Sequence, residues 1–213
     1  MLKPYKDPYG FKKLLAYQKA EELQLKCNEL THLFPKTKTL YDLADQMDRS
    51  ARSGKQNIVE GWRRNTTKEY YDFLGFCIGA IAELEEDCGD IWRGVYRDLM
   101  GIKGIRGEKG SPLNPLNPFP PFDIEKLKFY PLDKSLPPVV QLKLRCKELN
   151  FMLHRIQESL LVKMDQEKTL PTKDKFRLHN NEQKNIDNAE EKMLEQYGFE
   201  KLENGQVVKK KNI

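Results

Sequence analysis

Asp45-Gln-Met-Asp-Arg-Ser-Ala-Arg-Ser-Gly-Lys-Gln-Asn-Ile-Val-Glu-Gly-Trp-Arg-Arg64 is the stretch of the 213-residue chain whose reading decides the fold. With Arg49 at zero and ~100° of turn per residue, Leu40, Ala44, Met47, Ala51, Gly54 and Ile58 gather at ~180°. Arg49, Arg52, Ser53, Gln56, Glu60, Arg63 and Arg64 then fall within ~60° of zero, with Asp45 among them. The segment is therefore one amphipathic helix, with a packed face and an opposite face of arginines and acids. Ser50 and Asn57 flank the seam as small polar residues, and Ala51 and Gly54 keep the helix slim. A glycine in mid-helix costs ~1 kcal/mol relative to alanine, so something gains from the missing side chain at Gly54.

Three more runs repeat the same spacing of threes and fours. Ala16, Ala20, Leu23, Cys27, Leu30 and Phe34 form the first seam. Tyr70, Leu74, Cys77, Ile81, Leu84, Cys88, Ile91 and Val95 form the third. Val139, Leu142, Cys146, Leu149, Leu153, Ile156 and Leu160 form the fourth. Four seams with short links between the first three predict an all-α, antiparallel up-down four-helix bundle over residues 1–168. The helices are expected at about 11–34, 40–62, 67–98 and 138–167, with a loop over 99–137. Phe34-Pro35 closes the first helix, Thr39 with Asp42 is the candidate cap of the second, and Thr66 with Glu69 has the capping-box pattern.

The composition changes abruptly after the third helix. Gly101, Gly104, Gly107 and Gly110 precede Pro112, Pro115, Pro118, Pro120 and Pro121, then Pro131, Pro137 and Pro138. Proline at that density forbids a long helix or a central strand, so an extended loop is expected. Its Phe119, Phe122, Phe129 and Tyr130 are expected to pack back onto the bundle. Residues 169–213 form a C-terminal suffix segment: a polar helix candidate from Asn180 to Tyr197, stopped by Gly198, then a hairpin turning at Asn204-Gly205.

Composition narrows the function class. The chain has 37 Lys+Arg against 32 Asp+Glu, a formal net charge of +5, which by itself argues neither for nor against nucleic acid. The longest apolar runs are a few residues, such as Leu160-Leu161-Val162, against the ~20 needed to span a membrane. The opening Met1-Leu2-Lys3-Pro4-Tyr5-Lys6-Asp7 lacks the apolar stretch of a signal peptide, and four cysteines in such a chain point to the reducing cytoplasm.

Catalytic and metal chemistry finds no constellation. Cys27, Cys77, Cys88 and Cys146 all lie on seams, and Cys77 and Cys88 are ~16 Å apart along one helix, too far to share an ion. His32, His154 and His179 have no acidic or nucleophilic neighbour at a triad or metal spacing. Di-iron bundles need Glu-x-x-His on two helices, and no Glu here has His three residues on. Glu83, Glu85, Glu86 and Asp87 flank the third seam and read as a solvated acidic face. The expectation is a protein that is not an enzyme, with no catalytic residue, metal or cofactor.

Two readings compete for the arginine face. One is a solvated surface with intrahelical pairs such as Glu60 to Arg64, each worth ~0.5 kcal/mol or less. The other is a docking surface for phosphates, through arginine forks, or for a second subunit.

At these residues the chain resembles the four-helix-bundle proteins first described as encoded by intervening sequences in bacterial large-subunit rRNA genes. That family includes the accessory variability determinant of diversity-generating retroelements. The resemblance runs from Leu43 to Gly61 and on through Arg63-Arg64, Lys68-Glu69-Tyr70 and Phe73-Leu74 to Glu83-Leu84. Its core is Arg49-Ser-Ala-x-Ser-x-x-x-Asn-Ile-x-Glu-Gly61, and Ala16-Tyr17-Gln18-Lys19-Ala20 with Phe34-Pro35 fits the opening helix. It covers residues 11 to 92, plus the fourth helix by pattern only. Tyr17 and Gly54 depart from the usual tryptophan and aliphatic residue, and the long loop and tail resemble a subgroup with a C-terminal suffix domain.

The resemblance implies a bacterial homo-oligomer, typically a pentamer, with a basic surface that in the retroelement members engages nucleic acid and a reverse transcriptase; RNA or DNA and a reverse transcriptase are then the candidate partners here. Arg49, Arg52, Lys55, Arg63, Arg64 and Lys68 are the positions that would inherit nucleic-acid contact. Gln46, Ser50, Ser53, Gly54, Asn57 and Glu60 would serve the oligomer interface or packing. The expected function is a cytoplasmic nucleic-acid-binding or assembly accessory factor; the alternative is a protein–protein scaffold with no nucleic-acid role.

Overall fold

The chain folds as four helices, α1 (Leu15–Thr31), α2 (Lys38–Arg63), α3 (Thr67–Arg93) and α4 (Pro138–Thr169). This computed structural model describes residues 8–99, 102, 104–105, 123–169, 181, 184, 188, 191–192, 194–195, 199–202 and 207–209. Helices α1 and α3 each pack on both α2 and α4. Neighbours run in opposite directions, as the cross-helix contacts show. Between α2 and α3, Gln46 Nε2 donates to Asp87 at 3.4 Å, Ser50 Oγ to Glu83 at 3.3 Å and Cys77 Sγ to the Gly54 carbonyl at 2.9 Å. Between α3 and α4, Lys143 Nζ donates to the Glu85 carbonyl at 3.4 Å and Gln157 Nε2 to that of Tyr71 at 3.0 Å. Helices α1 and α4 are tied by Lys19–Glu148 at 3.0 Å and Glu22–Arg145 at 2.6 Å.

The four seams form the core. Ala20, Leu23, Cys27, Met47, Ala51, Ile58, Leu74, Ile81, Leu84, Leu149 and Leu153 are all buried. Each large aliphatic side chain removed from water contributes about 1.5–3 kcal/mol toward offsetting chain entropy. All four cysteines are buried and unpaired among these side chains, as small hydrophobes. Burial holds the thiols well above their usual pKa, Cys77 at about 12. Ala44, Ile156 and Leu160 are only half-buried, and Val95 is exposed.

Helix ends correct several expectations. Helix 1 does not start at residue 11: Gly10–Lys13 forms a 3-10 turn, Leu14 is extended, and Phe11 tucks edge-on against Tyr17 at 4.9 Å. It ends at Thr31, where the Leu33 and Phe34 amides fold back onto the carbonyls of Leu30 and Thr31. Thr39 is not the cap of α2, because the helix already begins at Lys38, and Thr37 in the cap position makes no side-chain bond. The capping box of α3 is present: Glu69 N donates to Thr66 Oγ1 and Thr66 N to the Glu69 carboxylate, each at 3.1 Å. That helix stops at Arg93, five residues short of the expected end. Gly94 takes a left-handed conformation (φ 84°), and Val95 N bonds Asp90 O at 3.0 Å, closing the helix with a Schellman turn.

After α3, Leu99, Ile105 and Ile124 are buried, and the Val139 amide donates to the Ile105 carbonyl at 3.1 Å. Phe129 does pack back, 5.6 Å from Phe151. Tyr130 does not, being 71% exposed; Phe119 and Phe122 lie outside the described residues. In the tail, β1 (Phe199–Lys201) pairs antiparallel with β2 (Val207–Lys209). The Asn204-Gly205 turn and most of the 180–197 helix candidate lie outside the described residues; those described between 181 and 195 are helical.

The acidic run of α3 is not the uniformly solvated face expected. Glu83 and Glu86 are exposed, but Asp87 is buried and Glu85 largely so. Asp87 faces Gln46 of α2; for Glu85 the reason lies on α4, where Lys143 is fully buried with its ammonium 2.9 Å from Glu125, 3.8 Å from Glu85 and 3.9 Å from Glu86. Glu125 also takes Lys147 at 2.7 Å. Gly89 makes room, since a Cβ there would come 3.1 Å from Lys143 Nζ.

Candidate nucleic-acid interface

Helix α2 turns its arginines outward. The contacts to α1 and α3 hold Leu40, Met47, Ala51 and Ile58 inside, so Arg49, Arg52, Arg63 and Arg64 emerge on the exposed side, with Lys55 half-buried beside them. Arg49 pairs with Asp45 one turn back. Arg64 lies 3.8 Å from Glu60 and sits over the Phe73 ring, 4.4 Å from its centre. Lys68, on the first turn of α3, pairs with Asp72 at 2.6 Å. Among the described residues, Arg52, Lys55 and Arg63 have no acidic partner within 4.0 Å.

The six interface-or-packing positions divide. Gln46, Ser53 and Glu60 are exposed, and Asn57 is half-buried with its amide donating to Ser53 at 3.3 Å. Ser50 and Gly54 are buried and serve packing within the chain. A Cβ on Gly54 would lie 2.4 Å from Ile81 Cδ1, which accounts for the missing side chain: α3 could not otherwise approach. Gly61 does the same at the next contact, where a Cβ would meet Tyr70 and Phe73 atoms at 2.8 Å.

A groove of about 420 Å³ lies between α2 and α3 on the arginine side. Arg49, Ser53 and Asn57 line it from α2, and Gly75, Phe76 and Gly79 from α3. Phe76 is 62% exposed, and its ring stands perpendicular to Phe73 at 5.7 Å. None of these three α3 residues stood out from the sequence. The one available signal was a large aromatic residue off the seam of an otherwise regular helix.

The acids sit in uneven surroundings, and their proton affinities differ accordingly. Burial, reinforced by Asp90, Glu83 and Glu86, lifts Asp87 to about 6. Burial raises Glu85 despite Lys143, whereas hydrogen bonds from Lys147 and Lys143 lower Glu125. His32 Nδ1 lies 2.7 Å from the Asn28 carbonyl at the end of α1, His154 is exposed, and His179 lies outside the described residues. Among the described residues no group of His, Cys, Asp and Glu is arranged to hold a metal ion, and no helix is long and apolar enough to cross a membrane.

The first three helices, which include the arginine face, the two packing glycines and the capping box, lie in the part of the chain that matches a known family. Residues 12–89 match the 23S rRNA-intervening sequence protein family. The family match takes in α1, α2 and all but the last turn of α3, and ends before the long connection and α4. No curated protein and no solved structure was found to match the chain.

Proposed function

We propose that the protein is a non-enzymatic, cytoplasmic accessory factor that binds nucleic acid along the outward face of α2 and works as a homo-oligomer, a pentamer on the family resemblance. The observation that carries this reading is the set Arg52, Lys55 and Arg63, cations on one helix without an acidic partner among the described residues. Residues 1–92 hold 14 basic and 15 acidic side chains, so attraction to phosphate rests on segregation rather than net charge. Each guanidinium offers a planar fork matched to phosphate oxygens. One subunit presents few such contacts, and repeating the face around an oligomer multiplies them into avidity.

The test is RNA binding measured at rising salt. Replacing Arg52, Lys55 and Arg63 together by alanine should weaken binding and flatten the slope of log affinity against log salt by roughly 2. No binding at low salt, or an unchanged slope, contradicts the reading. Native mass spectrometry checks the oligomer, where a single species of monomer mass counts against it. A protein–protein scaffold is the second reading, favoured by Arg49, Arg64 and Lys68 already having acidic neighbours in the chain. It predicts partner binding that survives nuclease treatment and is indifferent to salt.

A further inference from the structure

Phe76 is an apolar ring turned into water on a helix whose other large apolar residues mostly face the core. It is 62% exposed, while Leu74, Cys77 and Ile81 on either side of it are fully buried. Phe73 braces it edge-on at 5.7 Å. The ring lies in the same groove as Arg49, and Arg64 covers Phe73, so a guanidinium stands near each ring, each with an acid one turn away on α2.

The glycines beside it point the same way. Glycine inside a helix is destabilising relative to alanine, and at Gly54 and Gly61 close packing within the subunit explains the choice. At Gly79 an added Cβ would meet nothing within 4 Å, and at Gly75 only Gln157 Nε2 at 3.5 Å. No contact among the described residues calls for either glycine. Their effect is to leave the shelf next to the Phe76 ring bare. Across the groove, Ser53 and Asn57 offer a hydroxyl and an amide at the height of that shelf. Of the nearby acids, Asp72 is paired with Lys68 at 2.6 Å and Glu69 is held in the capping box, while Glu83 lines the groove as an exposed carboxylate that accepts the Ser50 hydroxyl at 3.3 Å.

We propose that Phe76 is a stacking platform for an unpaired base, so that the nucleic acid tracked by the α2 arginines is single-stranded where it crosses onto α3. An exposed aromatic face with flanking cations is the combination that holds single strands, because every base has a π-face and the cations take the backbone. A duplex keeps its bases stacked on one another and offers the ring nothing. The inference rests on the nucleic-acid reading of the α2 face, and narrows its ligand to an unpaired strand.

An oligouridylate and an RNA duplex of equal length, each titrated into the whole protein at low salt, test it. Phe76→Ala should weaken oligouridylate binding roughly 5- to 100-fold, leave its salt slope unchanged and leave duplex binding unchanged. Phe76→Trp should retain binding, and its indole emission should be quenched as the strand is added. Equal losses for strand and duplex, or no loss for either, overturn the stacking role while the α2 reading stands. A change of oligomer mass in Phe76→Ala also overturns it, because the ring is then a subunit contact. If the wild-type protein binds neither RNA, both the inference and the reading beneath it fail.

Discussion

On the outer face of α2, Arg52 and Arg63 stand in water with no acidic partner among the described residues, whereas Lys143 on α4 is fully buried with Glu85, Glu86 and Glu125 around its ammonium. All three are cations on amphipathic helices of one bundle, yet their energetic positions are opposite. A charge taken out of water must be compensated where it sits, and its neighbours are then fixed by that need. A charge left in water holds nothing together, and is free to meet a ligand. The α3–α4 seam is thus where charge serves the fold, and the α2 face where charge is available for function.

The largest expected effect comes from breaking the buried side of this contrast. Lys143→Ala should destabilise the protein by about 3 kcal/mol, because it removes a fully buried stem and leaves Glu85 largely buried without its cation. Lys143→Met, which keeps the stem, should cost less, and urea denaturation of the two variants separates packing from charge. Next comes the α2–α3 contact. Gly54→Ala should cost about 2 kcal/mol, because its Cβ would lie 2.4 Å from Ile81 Cδ1. Gly79→Ala, where that space is open, should stabilise by up to about 1 kcal/mol. Opposite signs for one chemical change on two faces of the same helix pair would bear out the division; equal signs would undo it.

Much of this architecture could be read in advance because helical periodicity is local. The residues from Ala20 to Leu30, from Met47 to Ile58 and from Tyr70 to Ile91 declare their face by spacing alone, and the arginines of α2 follow as the opposite side of the same wheel. Thr66 and Glu69 were legible for the same reason, since a capping box closes within one turn. What escaped depends on conformation or on distant neighbours. The seam of α3 continues in sequence through Val95, but Gly94 adopts a left-handed backbone and ends the helix first. Lys143 looks like any polar residue between Leu142 and Leu144; only Glu85 and Glu125, brought in from elsewhere in the chain, make it a core residue. Phe76 reads as a stray aromatic until the bareness of Gly75 and Gly79 beside it is known.

Asp87 lies between the two extremes and sharpens the contrast through pH. Its carboxyl is held at about 6, chiefly by burial, against ~3.9 in an unfolded chain. The folded state therefore binds the extra proton between those values, so this group's contribution to stability falls as pH rises from ~4 to ~6 and stays lost above. Glu85 is raised and adds the same sign, whereas Glu125 is lowered and acts oppositely below the usual carboxylate range. The difference between wild type and Asp87→Asn isolates the one group. The variant should be more stable at neutral pH by roughly 2–3 kcal/mol, about two units at ~1.4 kcal/mol each, and the advantage should vanish by pH ~4. A constant difference across that window would mean that Asp87 does not titrate there.

The smallest expected change in stability is the most informative about function. Arg52→Ala and Arg63→Ala remove exposed side chains with no acidic partner among the described residues, so each should alter unfolding free energy by no more than about 0.5 kcal/mol. If the α2 face meets phosphate, the same substitutions must still weaken RNA binding and reduce its salt dependence by up to about 1 per contact removed. The two measurements together are what make the test sharp. A cation that matters to the fold would move the denaturation midpoint, and one that decorates the surface would move neither. Only a cation reserved for an anionic partner should lower affinity while leaving the midpoint where it was.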